Sequence, residues 1–236
     1  MTITLPDPAP PNLQFERPAD RARLERTAAA LASRGFLAQI ADSAKEARRL
    51  VLEAIPPGAE VHVALSETMR ELGITAEIDQ SGRYDSVRSQ LNALDRATQA
   101  RQMAKLGAAP DYIVGSAHAV TDAGEIIVGS GSGSQLGAHA YAAGHVILAI
   151  GHQKLVRDLG EGLRRVREYS LPGEHARMQS PRPPRKDARQ NTDHRPRTLP
   201  PDHRHRRPRE TRLLIAHPTR ETPGGASTRA FPYTTT

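Results

Sequence analysis

Several side chains of the types that bind anions or transfer protons come directly after apolar segments of this sequence. Ser66 and Thr68 follow one such segment, and Lys154 follows another. His118 is our candidate general acid or base, because an imidazole ordinarily titrates near neutral pH. Lys154 and Arg83 are candidate cationic contacts to an anionic ligand. Taken singly, each of the five is better explained as a helix cap, a turn residue or a solvated surface group, and only their occurrence together at strand ends favours a site.

The stretch GSGSGSQLGAHAYAAG (129–144) is rich in glycine and serine. It links a predicted strand to a helix that leads into a second apolar strand, and turns of that kind expose backbone N–H groups. Ser132, Gly133, Ser134 and Gln135 are therefore candidates for holding a phosphate or a carboxylate. The alternative is a tight turn that binds nothing, because glycine-rich turns at sheet edges are common.

Two further polar segments fall at the ends of predicted strands. SGRYD (81–85) adds Tyr84 to the candidates, and SAHAVTDAG (116–124) adds Thr121 and Gly124. Open α/β sheets build their sites where the carboxyl ends of parallel strands meet. We therefore predict that all of these candidates lie together at one edge of a sheet.

The elements that would position these residues alternate between amphipathic helices and short apolar strands. This alternation predicts an α/β domain, with a mostly parallel sheet flanked by helices. The predicted helices are 20–35, 43–55, 66–73, 86–106 and 154–169. The predicted strands are 36–41, 59–65, 74–79, 111–116, 123–130 and 145–151.

Composition excludes several classes of chemistry. The chain has no cysteine, which rules out disulfides, a thiol nucleophile and an iron–sulfur cluster held by thiolates of this chain. His139 and His145 have no carboxylate at metal-ligand spacing, so no metal site is predicted. No apolar run approaches the roughly 18 residues that span a bilayer. Residues 1–18 are a Pro-rich leader without the features of a signal peptide, and we expect a cytoplasmic location.

The positive charge is concentrated in the last quarter of the chain. Residues 1–178 carry 20 Lys and Arg against 21 Asp and Glu, whereas residues 179–236 carry 13 against 5. The body is near neutral and has no electrostatic reason to bind nucleic acid. The Arg- and Pro-rich stretch 180–212 is either a nucleic-acid-binding arm or a segment with no function, and we expect weak, non-specific binding at most.

The region from Lys45 to Arg177 resembles the lactate-utilisation (LUD) domain family. The segments that carry the resemblance are SGRYDSVRSQLNALDRATQARQMAKLGAAPDYIVGSAHAVTDAGEIIVGSGSGSQLGAHAYAAGHVILAIGHQKLV and LGEGLRRVREYSLPGEHAR. Gly137 stands where family members often have Pro, and Gly173 where they often have Leu. Neither position is among the candidate site residues.

The resemblance implies a fold similar to the sugar-phosphate isomerase and CoA-transferase superfamily. It also implies a role linked to the oxidation of L-lactate to pyruvate. In that role this chain binds no cofactor, and iron–sulfur clusters are carried by partner subunits. The site region implied is Ser66, Thr68, Arg83, Tyr84, His118, Thr121, Gly124, Ser132 to Gln135 and Lys154. Two alternatives stay open: an isomerase- or CoA-transferase-like enzyme that holds phosphate or CoA on the Gly/Ser loop, and nucleic-acid binding through the basic tail.

The resemblance ends after Arg177, where the family continues into apolar strands. Read one nucleotide later, codons for Asn191 to Leu214 can encode TLIIDREPYPPITVIVVREKLGY and then a stop, which is a family-like ending. We therefore hypothesise a frameshift between Met178 and about Lys186. The domain prediction is a leader (1–18), a LUD-type α/β domain (19–177) and a disordered, frameshifted tail (178–236) whose absence from the sheet leaves an edge or apolar face uncovered.

Overall fold

A six-stranded mixed sheet forms the centre of the protein, with helices on both faces. The structure is a computed structural model, and it describes residues 9–179 and 212–218. The helices are α1 (Arg21–Ser33), α2 (Ala44–Glu53), α3 (Glu67–Glu71), α4 (Ile74–Gln80), α5 (Val87–Ala93), α6 (Ala100–Ala108), α7 (Leu159–Arg165) and α8 (Leu171–Gln179). The strands are β1 (Phe36–Ala41), β2 (Glu60–Val63), β3 (Asp85–Ser86), β4 (Tyr112–Gly115), β5 (Ala119–Thr121), β6 (Ile126–Ile127), β7 (His145–Gly151), β8 (Leu155–Val156) and β9 (Leu213–Pro218).

The large sheet has the strand order β1-β9-β7-β4-β2-β3. β3, β2, β4 and β7 pair in parallel, and β9 is antiparallel to both of its neighbours, β7 and β1. Five of its six strands therefore point the same way, which confirms the predicted α/β class with a mostly parallel sheet. A smaller sheet, β6-β5-β8, lies beside it and carries the segment that leads out of β4.

Helix and strand starts follow the local chemistry of the sequence. Asp20 caps α1 by accepting a hydrogen bond from the N–H of Arg23, and Ser43 caps α2 in the same way through Glu46. Gly35 lies between the end of α1 and β1 with φ of 84°, a conformation that glycine adopts without strain. Both helices confirm the sequence predictions to within two residues.

Four predicted elements are wrong in type or extent. The helix predicted for 154–169 begins only at Leu159, because Lys154 ends a 3-10 turn and Leu155–Val156 is strand β8. Segment 74–79, predicted as a strand, is helix α4, and its buried residues Ile74 and Ile78 are four apart, which is helical spacing. The single helix predicted for 86–106 is broken into α5 and α6. The strand predicted for 123–130 is reduced to β6, and β5 precedes it.

The predicted end of the domain near Arg177 also needs correction. Helix α8 continues through the Leu-Pro-Gly segment to Gln179, and the segment Leu213–Pro218 is an internal strand of the large sheet. The position between β1 and β7, which the tail was expected to leave empty, is therefore filled. The rest of the tail prediction lies outside the described residues.

β9 joins the two hydrophobic cores, which lie on opposite faces of the large sheet. Leu213 and Ile215 belong to the core under α2, α3 and α4, and Leu214 and Ala216 belong to the core under α1. All four side chains are at most 1% exposed. This alternation is what a strand with both faces covered requires.

Within residues 9–179 and 212–218, no helix is long and apolar enough to cross a membrane.

Candidate functional site

The carboxyl ends of β2, β4 and β7 bring three polar side chains together. Thr68 lies in α3 after β2, Ser116 follows β4, and Lys154 lies in a short 3-10 turn after β7. Lys154 Nζ donates to Thr68 Oγ1 at 3.0 Å and to Ser116 Oγ at 2.8 Å. The predicted meeting of strand-end side chains is therefore found for Thr68 and Lys154. Sequence reasoning did not single out Ser116, although it begins the segment 116–124.

The ammonium end of Lys154 is enclosed by protein although its side chain as a whole is only half-buried. Burial, and then the positive charge of Arg165, lower the pKa of Lys154 to about 7. Glu71 and Glu67 act in the opposite direction, but neither forms an ion pair with Lys154. A desolvated ammonium without a carboxylate partner is expected to lose its proton readily.

Arg165 is a second buried cation, and sequence reasoning missed it. It is 2% exposed, donates to the backbone carbonyl of His118 and to Ser170 Oγ, and stacks its guanidinium 4.9 Å from the centroid of the Tyr169 ring. Burial lowers the pKa of Arg165 to about 10, and Arg165 Nε is buried without a hydrogen-bond partner in the described part of the chain. Its position on the inner side of α7, three residues after buried Gly162, was the available signal.

His118 lies beside these cations as a neutral imidazole. Its Nδ1 accepts a hydrogen bond of 3.0 Å from the backbone N–H of Gly129. Burial, and then the positive charges of Lys154 and Arg165, lower the pKa of His118 to about 4. The near-neutral titration that made His118 our candidate acid or base is therefore absent, and near pH 7 it offers a neutral ring to its surroundings.

His139 is another histidine at this edge of the sheet. Both of its ring nitrogens are buried without a hydrogen-bond partner among the described residues. Its ring occupies the space that a side chain at Gly115 would need, since a Cβ there would lie 3.1 Å from His139 Cε1. Burial, and then His62 and His118, lower the pKa of His139 to about 4. The described residues contain no cluster of three or more His, Asp or Glu side chains that could hold a metal.

The serine hydroxyls of the Gly/Ser loop form hydrogen bonds within the loop itself. Ser132 Oγ donates to Ser134 Oγ at 3.0 Å, and the Gly133 N–H donates to Ser130 Oγ at 3.0 Å. Gln135 Nε2 donates to the Gly129 carbonyl at 3.4 Å. Ser132, Gly133 and Ser134 are exposed, and the contact of this loop with the site described above runs through Gly129 at its base.

Arg83 and Tyr84 lie at the opposite end of the strands. The Gly58 N–H, before β2, donates to the Arg83 carbonyl at 2.8 Å, and β3 begins at Asp85. Tyr84 is a core residue, 7% exposed, and burial raises the pKa of its hydroxyl. A shallow depression of about 450 Å³ at this amino-terminal edge is lined in part by Gly58 and His145. Arg83 and Tyr84 are therefore not part of the Lys154 cluster.

Thr121 and Gly124 form a structural turn. The Thr121 hydroxyl donates to Glu125 Oε2 at 2.9 Å and accepts from the Glu125 N–H at 3.0 Å. Gly124 has φ of 80°, and a Cβ there would lie 2.9 Å from the Ala30 carbonyl carbon in α1. Ser66 stays at the carboxyl edge, half-buried, and its side chain makes no capping hydrogen bond to α3.

Replacing Gly124 with alanine should destabilise the fold and leave ligand binding unchanged. The added methyl group meets backbone atoms of α1 and the backbone is held at positive φ, so we expect a loss of about 2–4 kcal/mol in unfolding free energy. Urea denaturation measures the loss. Gly133→Ala is the matched control, because its φ is 71° but nothing lies within 4 Å of the new Cβ. Equal losses at the two positions would contradict the packing role of Gly124.

In a comparison with protein families, the LUD domain matches residues 24–183, which is more than half of the chain. Neither the curated proteins nor the solved structures gave a match. The matched range runs from α1 through α8 and includes Thr68, Ser116, His118, Lys154 and Arg165. The chain therefore belongs to the LUD domain family and is a lactate-utilisation-related protein.

Proposed function

We propose that this chain binds a small anion at the carboxyl edge of its sheet and serves as the non-redox component of an L-lactate-oxidising system. The binding residues are Lys154 and its partners Thr68 and Ser116, with Arg165 and His118 behind them. The chain has no cysteine to hold an iron–sulfur cluster, so the proposal assigns electron transfer to iron–sulfur partner subunits.

The observation that carries the proposal is a pair of buried cations without a counter-ion. In residues 9–179 and 212–218, neither Lys154 nor Arg165 forms an ion pair with a carboxylate, and each lies close enough to the other that Arg165 lowers the pKa of Lys154. An unpaired buried charge costs several kcal/mol, so proteins pair such groups. A carboxylate or phosphate ligand would supply the missing negative charge, and perturbed groups of this kind concentrate at functional sites.

Binding of the anion should depend on the protonation of Lys154. The bound anion favours the ammonium and raises the pKa of Lys154 above its unliganded value of about 7. Affinity should then be highest below pH 7 and should fall by up to about tenfold per pH unit above it. Isothermal titration calorimetry with L-lactate, and separately with inorganic phosphate, in buffers of different ionisation enthalpy measures both affinity and proton uptake.

Lys154→Met is the informative variant, since it replaces the lysine with an unbranched side chain of similar length and removes the charge. We expect this variant to lose anion binding at every pH, and we expect no proton uptake when the ligand is added. Lys105→Met, which removes the charge of an exposed lysine, is the matched control and should bind as the unchanged chain does. Binding that survives Lys154→Met, or that does not vary with pH, would contradict the site.

The role in lactate oxidation is tested by reconstitution with the partner subunits. Lactate-dependent dye reduction by the iron–sulfur subunits is measured with the unchanged chain, with Lys154→Met and without any added chain. The proposal expects the full rate only with the unchanged chain. Equal rates in all three mixtures would show that this chain takes no part in lactate oxidation.

The enzyme alternative, a sugar-phosphate isomerase- or CoA-transferase-like activity, relied on the Gly/Ser loop as a phosphate site. The N–H groups of Gly133 and Ser134 already donate to Ser130 Oγ and Ser132 Oγ within the loop, which favours the Lys154 site over the loop as the anion contact. Turnover of sugar phosphates or acyl-CoA by the chain alone would reverse that preference. Nucleic-acid binding by the basic tail is tested by comparing the salt-dependent DNA binding of the unchanged chain with that of a variant in which the arginines of residues 180–211 are replaced by serine, which keeps β9.

A further inference from the structure

We propose that Lys154 Nζ is a nucleophile that forms an imine with the carbonyl carbon of a small 2-oxo acid. The inference rests on the proposed anion site, because the same cations that would hold a simple carboxylate would hold the carboxylate of the oxo acid. It goes further by assigning a covalent step to one nitrogen atom and a substrate class to the site.

The first support is the coordination of Lys154 Nζ. The nitrogen has two hydrogen-bond partners, the hydroxyls of Thr68 and Ser116, at 3.0 and 2.8 Å. A lysine nitrogen has three positions beyond its carbon, and in the described chain the third has no partner. Two fixed hydroxyls therefore orient the nitrogen, and a reactant that enters this enclosed site meets the one position that is not hydrogen-bonded.

The second support is that both partners are hydroxyls rather than carboxylates. A carboxylate at hydrogen-bond distance would hold the lysine as an ammonium, which has no lone pair to attack with. A hydroxyl donates as well as accepts, so Thr68 and Ser116 tolerate the neutral amine equally well. Burial among other cations lowers the pKa of Lys154 to about 7, which leaves a large neutral fraction near that pH. Lysine nucleophiles in proteins are commonly activated by this combination of desolvation and neighbouring positive charge.

The third support concerns the choice of carbonyl compound. Arg165 is buried behind His118 and forms no ion pair with a carboxylate of the described residues, so a ligand gains from carrying its own negative charge. A neutral aldehyde or ketone would gain nothing from Arg165. A 2-oxo acid carries the carboxylate on the carbon next to the carbonyl, so one small molecule meets both the amine and the cations.

The reaction is a condensation with no change of oxidation state. The lone pair of Nζ attacks the carbonyl carbon, and the C=O π pair moves to oxygen. The proton released by the nitrogen reaches that oxygen through the hydroxyl of Thr68 or Ser116, which gives a carbinolamine. Loss of the hydroxyl group with one further proton as water then leaves the C=N bond.

Borohydride reduction of the full-length chain in the presence of pyruvate tests the imine. Reduction converts the C=N bond to a stable secondary amine, and peptide mapping by mass spectrometry locates the adduct. We expect Lys154 to be modified at least tenfold faster than Lys45 and Lys105, which are exposed and serve as internal controls within the same sample. Acetone, a ketone without a carboxylate, should lose this preference for Lys154.

Two variants and one further ligand separate the imine from the anion site. Thr68→Val removes one hydroxyl partner at nearly constant volume and should slow adduct formation at Lys154, whereas Thr68→Ser should retain it. L-Lactate has the carboxylate without the carbonyl and should protect Lys154 against pyruvate. If lactate binds but pyruvate leaves no adduct on Lys154, the imine is wrong and the anion site stands. If neither lactate nor pyruvate binds, the anion site itself is wrong, and equal labelling of all three lysines would also overturn the imine.

Discussion

A chain that ends at Thr211 should lose cooperative folding, whereas a chain that ends at Pro218 should melt as the full-length protein does. The difference between the two truncations is the segment that contains β9. Thermal denaturation followed by circular dichroism measures both. We expect the shorter chain to aggregate or to unfold without a sharp transition, because it lacks an internal strand of the large sheet.

The size of this effect follows from the burial of β9. Leu213, Leu214 and Ile215 are each at most 1% exposed, and burying a large aliphatic side chain contributes about 2 kcal/mol. The strand also pairs along both of its edges, with β1 from Phe36 to Ala41 and with β7. Burial of these three side chains alone contributes about 6 kcal/mol, and loss of β9 would also leave two strand edges unpaired. The total is comparable with the whole stability of a domain, about 5–15 kcal/mol.

A point variant checks the same claim without shortening the chain. Ile215→Asp places an unpaired carboxylate in the core under α2 and should lower the unfolding free energy by more than about 4 kcal/mol. Ile215→Val, the conservative control, should cost about 1 kcal/mol. A Thr211 truncation as stable as the full chain would show that β9 does not occupy the sheet in solution.

Two segments, one in each reading frame, are candidates for the strand between β1 and β7. The position between β1 and β7 needs an apolar strand, and in this reading frame Leu213–Pro218 supplies it. In the shifted frame, the segment ITVIVV is richer in β-branched residues than Leu213–Pro218, and we propose that it takes the same position in the sheet. A chain carrying that frame should have the higher melting temperature, and resequencing of the DNA across codons 178–186 tests whether the frame changes there.

The cluster at the carboxyl edge could be predicted from the sequence because its residues lie close in sequence to the strands that position them. Thr68 and Lys154 each come within a few residues of a buried parallel strand, and parallel strands bring their carboxyl ends to one edge whatever their order in the chain. The same rule failed for Arg83 and Tyr84. The segment before them, 74–79, is helix α4 rather than a strand, so these residues precede β3 and lie at its amino end.

The burial of Arg165 and the pairing of β9 could not be predicted from the local pattern of the sequence. Arg164 and Arg165 are neighbours in a run of charged residues, yet Arg164 pairs with Glu168 on the surface while Arg165 faces the site. Only the orientation of α7 on the sheet separates them. β9 is a short apolar run inside a polar, proline-rich tail, and its pairing with β1 and β7 joins residues more than 60 positions apart. Pairings that distant leave no periodic signal in the sequence.

Lys154 should make the protein more stable as the pH rises from about 7 to about 10. Its pKa is about 7 in the folded protein, whereas an unfolded lysine has a pKa near 10.4. Between these values the unfolded chain binds more protons than the folded one, so the unfolding free energy increases with pH. Below pH 7 the lysine is protonated in both states, and the folded protein carries the whole cost of its buried charge. The gain across the window should be on the order of a few kcal/mol.

Comparison with Lys154→Met isolates this gain from every other titration in the protein. The methionine variant should be more stable than the unchanged chain at about pH 6.5, since an apolar side chain of similar length replaces an unpaired buried charge, and the two should converge near pH 10. Lys105→Met, at an exposed position, should follow the unchanged chain throughout. Urea denaturation at intervals across this range gives the three curves. Parallel curves for the unchanged chain and Lys154→Met would mean that the ammonium is solvated or paired in solution, and both the anion site and the nucleophilic amine would lose their physical basis.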